Sequence, residues 1–189
     1  MIIYIHGFGG SGEGMKAKAF REYFKTQKEC FIAPSLSYVP DLAINTLEEL
    51  IQSFNEDVTL IGSSLGGFYT IYLAQKYNLR GVLLNPSIYP YITLKNYVGY
   101  APSFYDESNF LWTQTHIGML KAYEQKVLNQ NNFMLLVQKG DELLDAQEAI
   151  NKLPEAYSII EDGGSHGFDG IEQHFESIKE FLLKENNGS

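Results

Sequence analysis

A serine attacks a carbonyl at neutral pH only when an imidazole can take its proton and a carboxylate holds that imidazole in the right tautomer. This sequence offers all three groups in glycine-bounded turns. Gly62-Ser63-Ser64-Leu65-Gly66 fits G-x-S-x-G, with a strand pattern before it and a helix pattern after it. In that context the central serine, Ser64, sits on a sharp turn that lifts its hydroxyl above a sheet. Small residues two places to either side let the backbones cross. Ser63 is off the centre of the motif and is read as structural. Gly163-Gly164-Ser165-His166-Gly167-Phe168 supplies a histidine after the last predicted strand. Gly140-Asp141-Glu142-Leu143-Leu144-Asp145 supplies acids after the strand before it. The chain order Ser64, Asp141, His166 favours nucleophile, orienting acid and base over a helix-cap serine and a surface histidine. Asp145 also qualifies by type. It stands three residues before Glu148, however, which is the spacing of a helix capping box, so Asp141 is favoured.

An oxyanion formed at the carbonyl needs two fixed donors. The N–H of Leu65, next to the nucleophile, is one candidate. The N–H of Phe8, in His6-Gly7-Phe8-Gly9-Gly10 after the first strand, is the other. His6 is expected to pack or orient this loop. The same loop holds a rival, because Gly7-Phe8-Gly9-Gly10-Ser11-Gly12 satisfies the dinucleotide fingerprint G-x-G-x-x-G. That reading also wants an acid at the end of the second strand. The residues there are Ala33-Pro34-Ser35, so nicotinamide binding is disfavoured. Gly14 is followed by Met15-Lys16, which excludes a P-loop. His116 and His174 show no metal-ligand spacing, and Cys30 is the single cysteine, so no metal, cofactor or disulfide is expected.

The elements that must carry these turns follow from periodicity. Strands are predicted over residues 1–5, 30–33, 58–62, 81–84, 133–138 and 157–160. Helices are predicted over 15–27, 42–54, 65–77, 115–128, 146–153 and 171–183, with Asp41 as N-cap of the second. Strands alternating with helices imply a parallel sheet of about six strands covered on both faces. Ligands in such sheets bind at the carboxyl ends of the strands, where every motif above falls. Residues 87–112 break the pattern with a run of aromatics, and are expected to form a short cap-like insertion in one domain. Within it Tyr89, Tyr91, Tyr97 and Phe104 are candidates for a substrate pocket. The tripeptide Asn187-Gly188-Ser189 is set aside as a flexible tail.

Composition narrows the partners. The 189 residues carry a net charge of −9, which argues against nucleic acid and mildly against polyanionic substrates. No targeting segment or membrane span is read, so a cytoplasmic location is expected. Oligomeric state is not legible.

Taken in order along nearly the whole chain, the motifs resemble the YqiA-type esterases, small bacterial α/β-hydrolases. They are His6-Gly7-Phe8, Gly62 to Gly67, Asn85-Pro86-Ser87-Ile88-Tyr89-Pro90, Gly140 to Asp145 and Gly163 to Phe168. The resemblance implies a three-layer α/β-hydrolase fold, hydrolysis of simple acyl esters without a cofactor, and the triad Ser64, Asp141, His166. Tyr89 departs from the family, which places an arginine in the Asn-Pro segment, so no grip on an anionic substrate carries over from it. The expected activity is therefore hydrolysis of short or medium acyl esters, with thioesters as a variant. The rivals are an idle interaction module on the same fold and the nucleotide-binding oxidoreductase already weighed.

Overall fold

The computed structural model describes residues 1–184; the tripeptide 187–189 lies outside the described residues. Six strands form one sheet in the order β2-β1-β3-β4-β7-β8. They are β1 (Ile2–Ile5), β2 (Phe31–Ile32), β3 (Thr59–Ser63), β4 (Arg80–Leu84), β7 (Phe133–Gln138) and β8 (Tyr157–Glu161). All five pairings in this sheet are parallel. Strand β7, the second from one edge, is buried along its whole length, as a strand covered on both faces must be.

Side chains alternate between the faces with a period of two. Ile3 and Ile5 of β1 join a core with α2 (Pro40–Ser53), α3 (Leu65–Tyr77), α5 (Gln114–Ala122) and α6 (Ala146–Lys152). Ile2 and Tyr4 join the opposite core with α1 (Met15–Thr26) and α7 (Phe175–Leu183). The result is the expected three-layer arrangement. No described helix is long and apolar enough to cross a membrane.

Three local expectations change. Helix α2 begins at Pro40, with Val39 as N-cap and no side-chain cap. Proline suits the first helical position because it lacks an N–H and presets φ. Asp41 therefore lies inside the first turn, where its carboxylate accepts the Tyr123 hydroxyl at 2.9 Å. The fifth helix ends at Ala122, short of residue 128. The last predicted helix starts as a 3-10 turn, Ile171–His174.

The segment 87–112 is more regular than its composition suggests. It contains a one-turn helix α4 (Pro90–Thr93), a 3-10 turn (Leu94–Tyr97) and an antiparallel hairpin of β5 (Gly99–Pro102) and β6 (Asn109–Trp112). Four-residue strands with a proline in one of them carry too weak an alternation to be read. Trp112 anchors the hairpin: it is fully buried and its indole N–H donates to the Leu94 carbonyl at 3.1 Å.

Candidate active site

The turn between β3 and α3 bends at Ser64, which adopts φ +55° and ψ −120°. A non-glycine residue held there costs about 1–3 kcal/mol and persists only when its surroundings impose it. They do so through hydrogen bonds and through space. Ser64 N–H donates to Leu84 O at 3.1 Å, and Ser64 O accepts the N–H groups of Gly67 and Ser87, each at 2.9 Å. A Cβ on Gly62 would meet Thr70 Oγ1 at 2.2 Å, and one on Gly66 would meet Ile5 O at 2.0 Å. The flanking glycines are there because β1, β3 and α3 approach too closely for any side chain. Gly66→Ala must push backbone against backbone. Its expected cost is about 3 kcal/mol or more, a fall of roughly 10 °C in thermal midpoint for a chain of this size. Differential scanning calorimetry checks this, and an unchanged midpoint would refute the packing argument. Ser63 is buried, and its hydroxyl acts on Tyr4, favouring the ionised phenol against the burial that opposes it.

The loops after β7 and β8 bring the other two groups to Ser64. His166 Nε2 lies 3.1 Å from Ser64 Oγ, and His166 Nδ1 lies 2.8 Å from Asp141 Oδ2. The second oxygen of Asp141 accepts the N–H groups of Leu143 and Leu144 at 2.8 and 2.9 Å. Burial opposes the charge on Asp141. The hydrogen bonds from His166, Leu143 and Leu144 outweigh it and hold the carboxyl below its ordinary range. Asp145 is not on the imidazole. It caps α6 by accepting Gln147 N–H at 2.8 Å, one residue short of the capping-box contact with Glu148. Glu142 adds a contact that its residue type did not announce, accepting the backbone N–H of His166 at 3.0 Å.

The loop of residues 6–10 lies against Ser64. A Cβ on Gly7 would meet Ser64 Cβ at 3.0 Å. His6 Nδ1 donates to Gly7 O at 2.8 Å, and its Nε2 accepts Leu36 N–H at 2.9 Å, which fixes the neutral tautomer. Burial lowers the pKa of His6, opposed by the bond to Gly7 O. The glycines of the dinucleotide-like run are used for internal packing: a Cβ on Gly12 would meet Ala33 O at 2.0 Å. Phe8 points its ring at Tyr97, Phe110 and Trp112, with centroids 4.8–5.6 Å away. Phe104 N–H donates to Gly9 O at 2.8 Å, so the hairpin is tied to this loop by backbone as well as by rings.

A cavity of about 120 Å³ opens beside the turn, lined by His6, Phe8, Leu36, Tyr38, Leu65, Tyr69, Ser103 and Phe110, among others. None of the four aromatics expected to line a pocket borders it. Tyr89 and Tyr91 lie under the ammonium groups of Lys152 and Lys121. Tyr97 packs on Phe8, and Phe104 is 73% exposed. The hairpin instead turns Ser103 and Phe110 inward. Tyr38 and Leu36 come from the loop after β2, whose place at the carboxyl edge of the sheet was the available signal. His116 completes a capping box with Thr113, and His174 pairs with Glu161 at 2.9 Å.

A parallel sheet between two helical layers, with a serine turn after β3 and acid and histidine loops after β7 and β8, defines the α/β-hydrolase fold. Solved structures agree. Est1E from Butyrivibrio proteoclasticus, with ferulic acid bound, superposes with a TM-score of 0.72 at 14% identity, covering 96% of this chain and 87% of that one. Mouse alpha/beta hydrolase domain-containing protein 10 gives 0.75 at 18% identity, over 96% and 88%. The Pyrococcus furiosus esterase Pf2001 gives 0.63 at 17% identity, over 96% and 80%. Residues 1–183 match the family model described as "Uncharacterised protein family (UPF0227)", and the chain belongs to that family. YqiA is a member of it, in agreement with the resemblance carried by the motifs. UPF0227 proteins of Pectobacterium atrosepticum and Vibrio parahaemolyticus are each 26% identical to this chain, over 96% of it and 98% of their own length.

Proposed function

We propose that this protein is a serine hydrolase that cleaves short or medium acyl esters through an acyl-enzyme on Ser64. The observation that carries the reading is the continuous hydrogen-bonded line from Ser64 Oγ through His166 to Asp141. His166 Nε2 takes the hydroxyl proton as Ser64 Oγ attacks the carbonyl carbon. The resulting oxyanion is held by the N–H groups of Phe8 and Leu65. Leu65 opens α3, so its N–H has no partner within the helix and is free to face the developing charge. The tetrahedral carbon then expels the alkoxide, which takes the proton from His166. Water, deprotonated by the same imidazole, attacks the acyl-enzyme and restores Ser64. Asp141 keeps the proton on Nδ1 throughout and stabilises the imidazolium. The names of the esterases with this fold point the same way.

Labelling of the wild-type protein by a fluorophosphonate probe is the direct test. A folded protein that does not react at Ser64 is an idle member of the fold, and the proposal fails.

The cavity sets the acyl group. Its walls carry no charged side chain: rings and leucines alternate with neutral hydroxyls, glycine backbone and the neutral His6 imidazole, and it is small. We read the segment 87–112 as a cap, because Ser103 and Phe110 close this cavity from above. Each methylene that fits should contribute about 0.8 kcal/mol, a factor of roughly four in kcat/KM. The value should rise from p-nitrophenyl acetate towards butyrate and then fall as the chain outgrows the space. Acyl-CoA of matched length should be poorer, given the net charge of −9. A steady rise to long chains, or a large preference for acyl-CoA, would refute this assignment.

A further inference from the structure

Asn85 directly follows the last residue of β4, and Gln138 is the last residue of β7. Both side chains are polar, and both residues are almost wholly buried, 4% and 3% exposed. Such groups are retained in a core only when their hydrogen bonds are made. Here they are made, and nearly all run to one loop. Asn85 Nδ2 donates to Ser165 O at 2.9 Å and to His166 O at 3.4 Å. Its Oδ1 accepts the backbone N–H of Gln138 at 2.9 Å. Gln138 Oε1 accepts the N–H groups of Ser165 at 3.1 Å and Asp169 at 2.8 Å. Its Nε2 donates to Asp169 O at 2.8 Å and to Glu161 Oε2 at 2.7 Å. The backbone carbonyl of Gln138 also accepts Asp141 N–H at 3.1 Å.

We infer that Asn85 and Gln138 are positioning residues that set the reach of His166 to Ser64. Every donor and acceptor of the Gln138 amide is used, and three of the four groups it meets bracket the histidine: the N–H of Ser165 before it, the N–H and carbonyl of Asp169 after it. Within the loop Phe168 N–H donates to Ser165 O at 3.0 Å and Ser165 Oγ to Asp169 Oδ1 at 2.8 Å, but the N–H groups of Ser165 and Asp169 both turn to Gln138 Oε1. Gly163 and Gly164 have φ of +75° and +77°, so their backbone is bent away from any regular ladder. The amide lies so close that a Cβ on Gly164 would fall 2.1 Å from Gln138 Oε1. Glu161 holds the far end of the amide and is itself paired with His174. An imidazole on a glycine-rich loop is thereby fixed to two strand ends of the rigid sheet.

This inference rests on the proposed serine mechanism for its rate readout, and has a structural readout that does not. Gln138→Glu keeps the shape and the acceptors of the side chain. It removes both N–H donors and sets one carboxylate against that of Glu161 and against Asp169 O. A loop shift of about 1 Å can cost on the order of 10²-fold in rate. For p-nitrophenyl acetate, kcat should fall about 100-fold with KM within about twofold, in protein shown to be folded at the assay temperature. Adding Glu161→Gln returns a donor to that contact and should recover about tenfold. Asn85→Asp keeps the acceptor for Gln138 N–H and loses the donors to Ser165 and His166. It should show the same split between kcat and KM, and it decides the matter if Gln138→Glu does not fold. Crystal structures of the variants give the second readout: His166 Nε2 should leave hydrogen-bond distance of Ser64 Oγ. Wild-type kcat, or an imidazole still bonded to both Ser64 and Asp141, overturns the inference. A wild-type protein that fluorophosphonate does not label would defeat the proposed reaction, while the crystal structures would still decide the role of the two amides.

Discussion

Ser64→Ala is expected to abolish fluorophosphonate labelling and to lower kcat on a simple ester by about 10⁴- to 10⁶-fold. The factor is large because the members of such a site act as a unit, so losing one forfeits nearly all that they achieve together. What survives is the oxyanion donors and binding, worth roughly 10³ over water. The substitution removes one oxygen and leaves the turn intact, since the bonds that bend it run through the Ser64 backbone and the flanking glycines. Thermal unfolding should be close to wild type. Ser63→Ala is the matched control. The imidazole of His166 is bonded to Ser64 Oγ and Ser63 is buried, so turnover should persist. Retention of near-normal rates in Ser64→Ala, with their loss in Ser63→Ala, would place the nucleophile one residue earlier.

Asp141→Asn is expected to cost on the order of 10⁴ in kcat, by analogy with the same change in other serine triads. The structure supplies the reason. One oxygen of Asp141 is committed to the N–H groups of Leu143 and Leu144, so an asparagine keeps its carbonyl there. Its NH₂ then faces His166 Nδ1, which must become the acceptor. The proton moves to Nε2, and the ring can no longer take one from Ser64. Because the carboxyl of Asp141 is held below its ordinary range, it stays ionised across the neutral and mildly acid region in the wild type. Asp145→Asn is the contrast. Asparagine caps a helix about as well as aspartate, so both rate and stability should stay near wild type. Equal losses in the two variants, measured as kcat at saturating ester, would show that the effect is not on the imidazole.

Much of this site is legible in the chain because its signals are local. The turn at Ser64 needs small residues two places away. The loop at His166 needs glycines beside it. An acid at a strand exit is visible as Gly140-Asp141. Each is a short-range steric demand, and alternating periods of two and 3.6 place all of them after strands. The order of layers follows from the same alternation, since a parallel sheet must be covered on both faces.

What the tertiary structure alone decided are contacts between residues far apart in the chain. Asn85 reaches Ser165 across 80 positions, and Gln138 reaches Asp169 across 31. Nothing near either amide in sequence announces a partner, because a buried polar group is satisfied by whatever the fold brings to it. The cavity wall is of the same kind. Residues 87–112 show their aromatics plainly, but which rings face inward depends on the register of the hairpin. In that register Ala101 opposes Phe110 on the buried side and Tyr100 opposes Leu111 on the exposed one. A shift of one residue would exchange the two sets. The chemistry of the site is thus written in short motifs, while the shape of its cavity and the fixing of its histidine come from long-range packing.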